Sequence, residues 1–296
     1  MIAKENTEVL GLRLIEWIRM HDSLRFSQVD VFGSGPISGN PVAVVHHAEL
    51  VSDAQMRAFA QWTNLSETTF LLPPTQPGAD YRLRIFTPNE ELPFAGHPTL
   101  GSAHAWLENG GQPRCDKCIV QECGIGLVKI QRSEGGLAFS APDFIKAGSV
   151  DAVTLEKAVR AIGVQPDIIV ASNWIDNGPG WLGLLLADAQ HVLAIEPDYA
   201  AMGTLNIGVM APHRNGPADY EVRAFVPGIG EDPVTGSLNA GFARWLIHAN
   251  IAPSRYTARQ GTVMRRKGDV HVLTDEEGEI WVGGICTTVI RGSAQL

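Results

Sequence analysis

Two stretches of this chain resemble each other in sequence, and this internal repeat limits the folds that the chain can adopt. Residues 97–105 (HPTLGSAHA) match residues 232–240 (DPVTGSLNA), and a strand-like run precedes each copy, at 82–88 and at 221–227. The copies lie about 135 to 139 positions apart, whereas the units of solenoid proteins are only about 20–50 residues long. The repeat therefore predicts two duplicated lobes that face each other across a cleft.

The order of the predicted elements indicates an α+β fold. Strand-like runs outnumber helical patterns, which suggests a mostly antiparallel β-sheet rolled around a central helix in each lobe. We predict a first lobe at 25–140 and a second, pseudo-symmetric lobe at 141–284, and the C-terminal strand at 285–296 is a candidate to cross back to the first lobe. Residues 1–24 are predicted to be an N-terminal extension, either a real appendage or the result of a start codon assigned too early, with Met20 as the alternative start.

Local patterns predict individual elements. A helix is expected from about Ser52, because serine is a preferred N-cap residue and Asp53 adds a negative charge to the first turn. The apolar residues of this helix are predicted to face inward: Met56, Phe59, Ala60 and Trp62. In the second lobe, strands are predicted at 262–265, 270–273 and 279–283.

The composition excludes several classes of protein. With 45% hydrophobic and 19% charged residues, the chain is typical of a globular protein. Its formal net charge of -9 argues against nucleic-acid binding, which requires clustered Lys and Arg side chains. No apolar run approaches the roughly 18 residues of a membrane span, and Arg13, Glu16 and Arg19 interrupt the apolar part of the N-terminus, so neither a membrane partner nor a secretory signal is expected. We therefore expect a cytoplasmic protein, in which four cysteines need no disulfide framework.

Each repeat copy places a polar residue and a proline at the predicted start of a helix. His97 precedes Pro98 and Asp232 precedes Pro233. Proline is tolerated at the first helical position because its missing N–H has no partner there in any case. Asp232 belongs to a residue type that caps helices well, whereas His97 does not.

Small residues follow both prolines and would leave backbone N–H groups uncovered. They include Gly101 and Ser102 in one copy and Gly236 and Ser237 in the other. A helix N-terminus carries about half a positive charge and binds carboxylate or phosphate groups. Two such termini would hold a small carboxylic acid and stabilise the negative charge that develops when a proton leaves its carbon. The alternative is that both motifs are ordinary helix caps.

Glu67 is the candidate acid/base residue. It lies between a predicted helix and a predicted strand, with apolar neighbours such as Leu65 and Phe70. Burial in such surroundings raises the pKa of a carboxyl group toward values that suit proton transfer at neutral pH. The alternative is an exposed turn residue. We interpret Glu90, Glu91 and Glu231 as solvated turn charges of that kind, and contact with the site is the alternative for Glu231.

Five sequence blocks resemble the signature blocks of the phenazine-biosynthesis PhzF family. They are 26–32 (FSQVDVF), 39–41 (GNP), 64–68 (NLSET), 93–101 (PFAGHPTLG) and 231–237 (EDPVTGS). The resemblance implies the diaminopimelate epimerase-like fold, in which two pseudo-symmetric lobes enclose the site. It also implies a cofactor-independent isomerase, since the family's defined reaction moves a proton between ring carbons of a dihydro-hydroxyanthranilate.

The same resemblance assigns roles to individual residues. Glu67 falls on the family's proton-shuttling glutamate, and His97 and Asp232 fall on the histidine and aspartate that orient the substrate and assist the transfer. Gly96, Gly236 and Ser237 fall on the family's backbone and hydroxyl groups that surround the substrate carboxylate. The implied protein is a homodimer without a metal or other cofactor, and it acts on a small cyclic or amino carboxylic acid.

Two other functions remain open on the sequence alone. Related epimerases and racemases invert a carbon atom with two cysteines, one at each helix start, so a two-base amino-acid epimerase is one alternative. A non-catalytic protein that closes on a metabolite or a protein partner is the other. The CxxC motif at 115–118 lacks a second pair, so no metal site is predicted. The Gly-Ser-Gly run at 33–35 lacks the third glycine of a dinucleotide-binding fingerprint, which argues against an NAD enzyme.

Overall fold

The structure is a computed structural model that describes residues 23–116, 118–133 and 135–296. Of the predicted N-terminal extension at 1–24, residues 1–22 lie outside the described residues. The described parts of the chain contain eighteen β-strands and six α-helices, in agreement with the predicted α+β class.

The strands form two sets of nine. The first set is β1 (Leu24–Val31), β2 (Asn40–Val45), β3 (Glu67–Leu72), β4 (Tyr81–Phe86), β5 (Glu91–Leu92), β6 (Cys118–Cys123), β7 (Gly126–Ser133), β8 (Gly136–Ser140) and β9 (Lys146–Gly148). The second set is β10 (Ile169–Asp176), β11 (Trp181–Leu186), β12 (Asn206–Pro212), β13 (Tyr220–Val226), β14 (Gly230–Asp232), β15 (Arg255–Gln260), β16 (Gly268–Thr274), β17 (Ile280–Gly284) and β18 (Cys286–Ala294).

The helices connect strands within and between the sets. They are α1 (Asp53–Thr63), α2 (Gly96–Glu108), α3 (Ala152–Ile162), α4 (Ala189–Leu193), α5 (Tyr199–Met202) and α6 (Gly236–His248). Among the described residues, no helix is long and apolar enough to span a membrane.

The two sets of strands pair in the same way. In the first set β1 and β2 are antiparallel, β2 and β3 are parallel, and β3 and β4 are antiparallel. Strand β4 then pairs with antiparallel β5 and with parallel β6. Strands β10 to β15 repeat this pattern, and an antiparallel meander completes each set. The molecule therefore consists of two pseudo-symmetric halves, as the internal repeat predicts.

Three strand pairs join the two halves. Strand β8 pairs with β17, and the last strand of each set pairs with the first strand of the other, β18 with β1 and β9 with β10. All eighteen strands thereby belong to one continuous hydrogen-bonded sheet. Because strands pair across the predicted lobe boundaries, those boundaries stay a prediction.

Each half rolls its sheet around one buried helix. Helix α2 connects β5 to β6, and α6 connects β14 to β15. Nine of the thirteen residues in each of these helices are buried, as expected for a helix enclosed on all sides. One apolar cluster includes Leu100 of α2, Phe139 of β8, and Leu238 and Phe242 of α6. The two halves consequently share a core, and the starts of α2 and α6 lie inside it.

The structural repeat has a different register from the sequence match that revealed it. A short strand, a proline turn and two extended residues precede both helices, and this arrangement recurs with an offset of 140 positions. In this alignment the corresponding pairs are Glu91 with Glu231, Pro93 with Pro233, Gly96 with Gly236, and His97 with Ser237.

The prediction that His97 and Asp232 occupy equivalent helix starts is therefore wrong. Pro98 lies within the first turn of α2, whereas Pro233 lies in the turn before α6, so the two similar dipeptides have different structural positions. The structural counterpart of Asp232 is Leu92. One half thus places a carboxylate where the other half places an apolar side chain.

Two local predictions on the outer surface need correction. Ser52 caps α1 as predicted, with a complete capping box, but Trp62 is 80% exposed and stacks on Phe59 at the outer side of the helix. The predicted strand at 262–265 is an exposed turn between β15 and β16. Arg265 has a φ of 59°, a left-handed conformation that a strand cannot contain.

The burial of α1 predicts unequal effects of two truncations. Met56 is buried in the cluster beneath α1, so Met56→Ala is expected to lower the free energy of unfolding by about 2–5 kcal/mol. Trp62→Ala removes a larger but exposed side chain and is expected to change it by less than about 1 kcal/mol. Urea denaturation of both variants measures the difference, and a larger loss for Trp62→Ala would contradict this packing.

Candidate active site

Glu67 and His97 face each other next to the junction of the two halves. Glu67 is the first residue of β3, and His97 lies buried in the first turn of α2. Glu67 Oε2 lies 3.2 Å from His97 Nε2. Both atoms are buried, and neither has a hydrogen-bond partner within the described part of the chain, because their mutual contact lacks hydrogen-bond geometry. The Glu67 side chain as a whole is nevertheless 15% exposed.

The hydrogen bonds around His97 fix its tautomer. Asn40 Nδ2 lies 3.5 Å from His97 Nδ1, but it donates both hydrogens elsewhere, to Asp232 Oδ1 and to the Val234 carbonyl oxygen, each at 2.9 Å. A ring N–H of His97 instead donates to the Pro41 carbonyl oxygen. Since Nε2 has no such partner among the described residues, Nδ1 carries the hydrogen and Nε2 presents a lone pair to the carboxyl group opposite.

The protonation states of the pair follow from burial. Burial lowers the pKa of His97 to about 3, so the ring is neutral at pH 7 and its contact with Glu67 is not an ion pair. Burial also raises the pKa of Glu67 well above its ordinary value, and the charge of Asp232 raises that pKa further. Glu67 therefore holds a proton more tightly than an exposed glutamate does.

Asp232 belongs to strand β14, not to a helix start. The N-cap of α6 is Thr235, so the prediction that Asp232 caps the helix is wrong. Asp232 Oδ1 accepts from Asn40, and Oδ2 accepts from the Thr235 hydroxyl at 2.5 Å. Burial raises the pKa of Asp232 to about 6, although hydrogen bonds from Thr235, Asn40 and Ser66 oppose this shift.

Gln260 holds the segment that carries Asp232 against α6. Its Nε2 donates to the Asp232 carbonyl oxygen and to the Thr235 hydroxyl, both at 3.0 Å. Its Oε1 accepts from the Thr235 N–H and from Asn239 Nδ2. All the hydrogen-bonding groups of this fully buried amide are thus used at one place, which rigidifies the turn between β14 and α6.

The N-termini of α2 and α6 meet backbone to backbone. A Cβ atom on Gly236 would lie 3.0 Å from Gly96 Cα and 3.1 Å from the His97 nitrogen. A Cβ atom on Gly96 would lie 2.7 Å from the Phe139 ring. Only glycine permits this approach at both positions, so the two helix starts are brought to a single point by their sequence.

Neither of these two helix starts is capped by a side chain among the described residues, since Ala95 and Thr235 make no cap hydrogen bond. The other four α-helices described each have a capping side chain: Ser52, Asp151, Asp188 and Asp198. The first-turn N–H groups of α2 and α6 therefore remain for another acceptor. A carboxylate suits them, because the helix dipole favours negative charge at this end.

Ser237 adds an oriented hydroxyl group at the same point. It follows Gly236 and is buried, and its Oγ accepts a hydrogen bond from Trp181 Nε1 at 3.1 Å. Asn177 Nδ2 donates to the Ser237 carbonyl oxygen at 2.9 Å. Because the indole uses a lone pair of Oγ, the hydrogen of the Ser237 hydroxyl remains available to an acceptor.

The structure thus brings the predicted site residues together: Glu67, Gly96, His97, Asp232, Gly236 and Ser237. Sequence reasoning missed the positioning roles of Asn40, Thr235 and Gln260. Asn40 lies in the 39–41 signature block, but the sequence assigns it no role. Nothing in the sequence marked Gln260, which is 28 positions from Asp232.

The interpretation of Glu91 and Glu231 as solvated turn charges is wrong. Each forms a bidentate ion pair with an arginine of the neighbouring strand, Arg84 with Glu91 and Arg223 with Glu231. The two pairs occupy equivalent places in the two halves, because each arginine lies two positions before a strand phenylalanine that pairs with the glutamate.

No cluster of three or more His, Cys, Asp or Glu side chains in the described ranges could hold a metal ion. The predicted absence of a metal and of any other cofactor stays a prediction. The available groups support proton transfer: two carboxyl groups with raised pKa values, Glu67 and Asp232, a neutral imidazole and an array of N–H donors.

The raised pKa of Asp232 predicts a stability change with pH. An unfolded aspartate ionises near pH 4, whereas the folded group has a pKa of about 6. Between these values the folded state binds the proton more tightly, so this contribution to stability is full below about pH 4 and is lost as the pH rises to about 6. Relative to Asp232→Asn, wild type is expected to lose stability across this range, as urea denaturation at each pH would show. Parallel curves for the two proteins would contradict the assignment.

Comparisons with known proteins agree with this geometry. The sequence model of the phenazine biosynthesis-like protein family matches residues 29–292 of the chain. Antisense-enhancing sequence 1 of Schizosaccharomyces pombe is 35% identical over 295 residues, which cover 91% of this chain and 98% of the yeast protein. The trans-2,3-dihydro-3-hydroxyanthranilate isomerase of Pseudomonas chlororaphis is 32% identical over 212 residues, 71% of this chain and 74% of that enzyme.

The fold comparison gives the same result. The crystal structure of a phenazine biosynthesis protein of the PhzF family from Enterococcus faecalis superposes with a TM-score of 0.75 at 25% identity, and covers 93% of this chain and 100% of that one. The family and the epimerase-like fold class predicted from the sequence are confirmed.

Proposed function

Because the chain belongs to the phenazine biosynthesis-like protein family and is an isomerase, we propose that it moves a proton on a small cyclic or amino carboxylic acid without a cofactor, with Glu67 as the acid/base residue. The observation that carries this proposal is the contact of Glu67 Oε2 with His97 Nε2, at 3.2 Å and with no hydrogen-bond partner for either atom among the described residues. Two buried polar groups left in this state are a feature of reactive sites more than of stable cores.

The proposed reaction uses one carboxyl group twice. Ionised Glu67 takes a proton from one carbon of the substrate, and the bonding electrons stay on the substrate as a delocalised anion. Protonated Glu67 then returns the proton to a second carbon on the same face, which restores the carboxylate. The raised pKa of Glu67 strengthens it as a base and stabilises the protonated form between the two steps.

The two helix starts are the proposed site for the carboxylate of the substrate. The uncapped N–H groups at Gly96 and Gly236, with the Ser237 hydroxyl, supply hydrogen-bond donors that are fixed before the ligand binds. Negative charge that develops on the substrate during proton removal is stabilised by the same donors. His97 and Asp232 orient the ring and polar groups of the substrate around Glu67.

The geometry supports a two-base epimerase less well. Inversion needs a second base on the opposite face of the carbon, and the residue that corresponds to His97 in the other half is Ser237. The hydroxyl of Ser237 accepts from the Trp181 indole, which does not help it to accept a proton. A homodimer and a cytoplasmic location remain part of the proposal.

Hydrogen exchange tests the proposed function. A thermal-shift screen of cyclic and aromatic amino acids, including trans-2,3-dihydro-3-hydroxyanthranilate and 3-hydroxyanthranilate, identifies ligands. Each ligand is then incubated with the protein in deuterium oxide and followed by proton NMR. We expect at least one ligand to exchange a carbon-bound hydrogen. Binding with neither hydrogen exchange nor formation of an isomer would contradict the proposal and would favour a non-catalytic metabolite-binding protein.

Label transfer distinguishes one base from two. A substrate with deuterium at the reacting carbon is converted in ordinary water, and the product is analysed by mass spectrometry. One-base transfer is expected to carry part of the substrate deuterium into the product. Complete replacement by solvent hydrogen would favour the two-base epimerase.

A further inference from the structure

Arg223 and Glu231 form a buried ion pair directly beside Asp232. Arg223 Nε and Nη2 donate to the two carboxylate oxygens of Glu231 at 2.9 and 2.8 Å. The Arg223 side chain is 3% exposed and that of Glu231 is 11% exposed. Such a bidentate pair fixes the orientation of both side chains, because the planar guanidinium matches the carboxylate at two points.

Arg223 Nη1 anchors the pair to the C-terminal end of helix α4 and the residues that follow it. Arg223 Nη1 donates to the carbonyl oxygens of Val192 and Ile195 at 3.0 and 2.7 Å. Its guanidinium carbon also lies 4.8 Å from the centre of the Phe225 ring. Strand β14, which carries Glu231 and Asp232, is thereby tied to β13 and to the last turn of α4.

The first half contains an equivalent pair with a different neighbour. Arg84 Nε and Nη2 donate to Glu91, each at 2.7 Å, and Arg84 also lies over the Phe86 ring. The residue after Glu91 is Leu92, whereas the residue after Glu231 is Asp232. The duplicated pair therefore holds an apolar residue in one half and a site carboxylate in the other, and the latter pair is the more deeply buried.

We propose that Arg223 and Glu231 are positioning residues of the site: the pair holds Asp232 in place on β14, and the charge of Glu231 contributes to the electrostatic potential at Asp232. This inference rests on the proposed function, because the pair affects the reaction only through Asp232. Neither residue is placed in contact with the substrate.

The charges around Asp232 determine in which direction its pKa shifts when the charge of Glu231 is removed. Glu67 on β3 interacts electrostatically with Asp232, and Asn40 Nδ2 lies near both the neutral His97 of α2 and Asp232 Oδ1. Glu231 and its partner Arg223 lie on β14 and β13. Burial is the main cause of the raised pKa of Asp232, and the charge of Glu231 adds to it. Removal of that charge should make Asp232 easier to ionise.

Glu231→Gln tests the electrostatic part. Glutamine keeps the side-chain length and an acceptor oxygen for Arg223, so the fold should be retained. Carboxyl-carbon NMR of protein labelled at aspartate, with Asp232→Asn for assignment, follows the apparent pKa of Asp232. We expect it to fall by at least about half a pH unit, and the matched variant Glu91→Gln to leave it unchanged. An unchanged pKa in Glu231→Gln, or an equal shift in Glu91→Gln, would overturn this part.

Arg223→Lys tests the positioning part. Lysine keeps the positive charge but lacks the planar fork, so we expect the maximal rate of hydrogen exchange to fall by about tenfold or more while the apparent pKa of Asp232 stays near that of wild type. Arg84→Lys is the matched control and should retain the rate. Equal losses in the two variants would overturn the proposal. If Arg223→Lys does not unfold cooperatively, Glu231→Asp, which shortens the pair and keeps its charge, takes its place with the same expectation.

The two readouts separate this inference from the proposed function. The NMR titration needs no turnover, so a shifted Asp232 in a protein that exchanges no hydrogen would contradict the proposed function and leave the electrostatic assignment intact. Hydrogen exchange that depends on Glu67 but not on the Arg223 pair would support the proposed function and contradict the positioning role of the pair.

Discussion

Glu67→Gln is expected to lower the rate of carbon-bound hydrogen exchange by about 100- to 10,000-fold, the usual contribution of a general acid/base residue. The change is nearly isosteric and removes only the capacity to carry a proton. Binding should persist, because the proposed carboxylate site at the helix starts is unaltered. Deuterium incorporation into the best ligand from the screen, measured by NMR, gives the rate, and calorimetry gives the affinity.

Glu122→Gln is the matched control for this variant. Glu122 is also a buried glutamate of the first half, but it is held by the Thr75 and Gln76 N–H groups and lies outside the site. It should therefore retain most of the exchange rate. Equal losses in both variants would indicate damage to the fold, and an unchanged rate in Glu67→Gln would exclude this residue as the proton carrier.

Gly236→Ala is expected to weaken binding of a carboxylate ligand by at least about tenfold, equivalent to about 1.4 kcal/mol. The added methyl group would lie 3.0 Å from Gly96 Cα and 3.1 Å from the His97 nitrogen. Backbone atoms cannot move aside as a flexible side chain does, so the two helix starts must separate. Overpacking of this kind typically reduces stability by about 1–3 kcal/mol as well.

Gly292→Ala is the control for the glycine variant. No atom lies within 4 Å of a Cβ at this position in the described structure, so the substitution should leave affinity and stability close to wild type. Calorimetry with 3-hydroxyanthranilate and thermal denaturation measure both effects. Wild-type affinity in Gly236→Ala would show that the helix starts do not form the carboxylate site.

The duplication could be predicted from the sequence, but its register could not. The two HP and DP motifs share a proline followed three positions later by glycine and serine, and local similarity therefore aligns His97 with Asp232. The structural alignment depends instead on Gly96 and Gly236, which meet in space. A pattern of identical residues carries no information about which of them lie at the contact between two halves.

The site residues were predictable where a side chain acts alone, and not where contacts between distant segments matter. Glu67, His97 and Asp232 belong to sequence blocks that resemble a known family. The role of Asn40 depends on its donation to Asp232 and to the Val234 carbonyl, across more than 190 positions. The burial of Arg223 and Glu231 likewise follows from strand pairing, which no local periodicity reveals.

The most direct test of the central claim is a crystal structure of the protein with 3-hydroxyanthranilate bound. We predict that the ligand carboxylate accepts hydrogen bonds from the first-turn N–H groups of α2 and α6. We also predict that a ring carbon lies within about 3.5 Å of the Glu67 carboxyl group. A ligand bound at the helix starts with its ring directed away from Glu67, or bound at another place on the protein, would contradict the proposal.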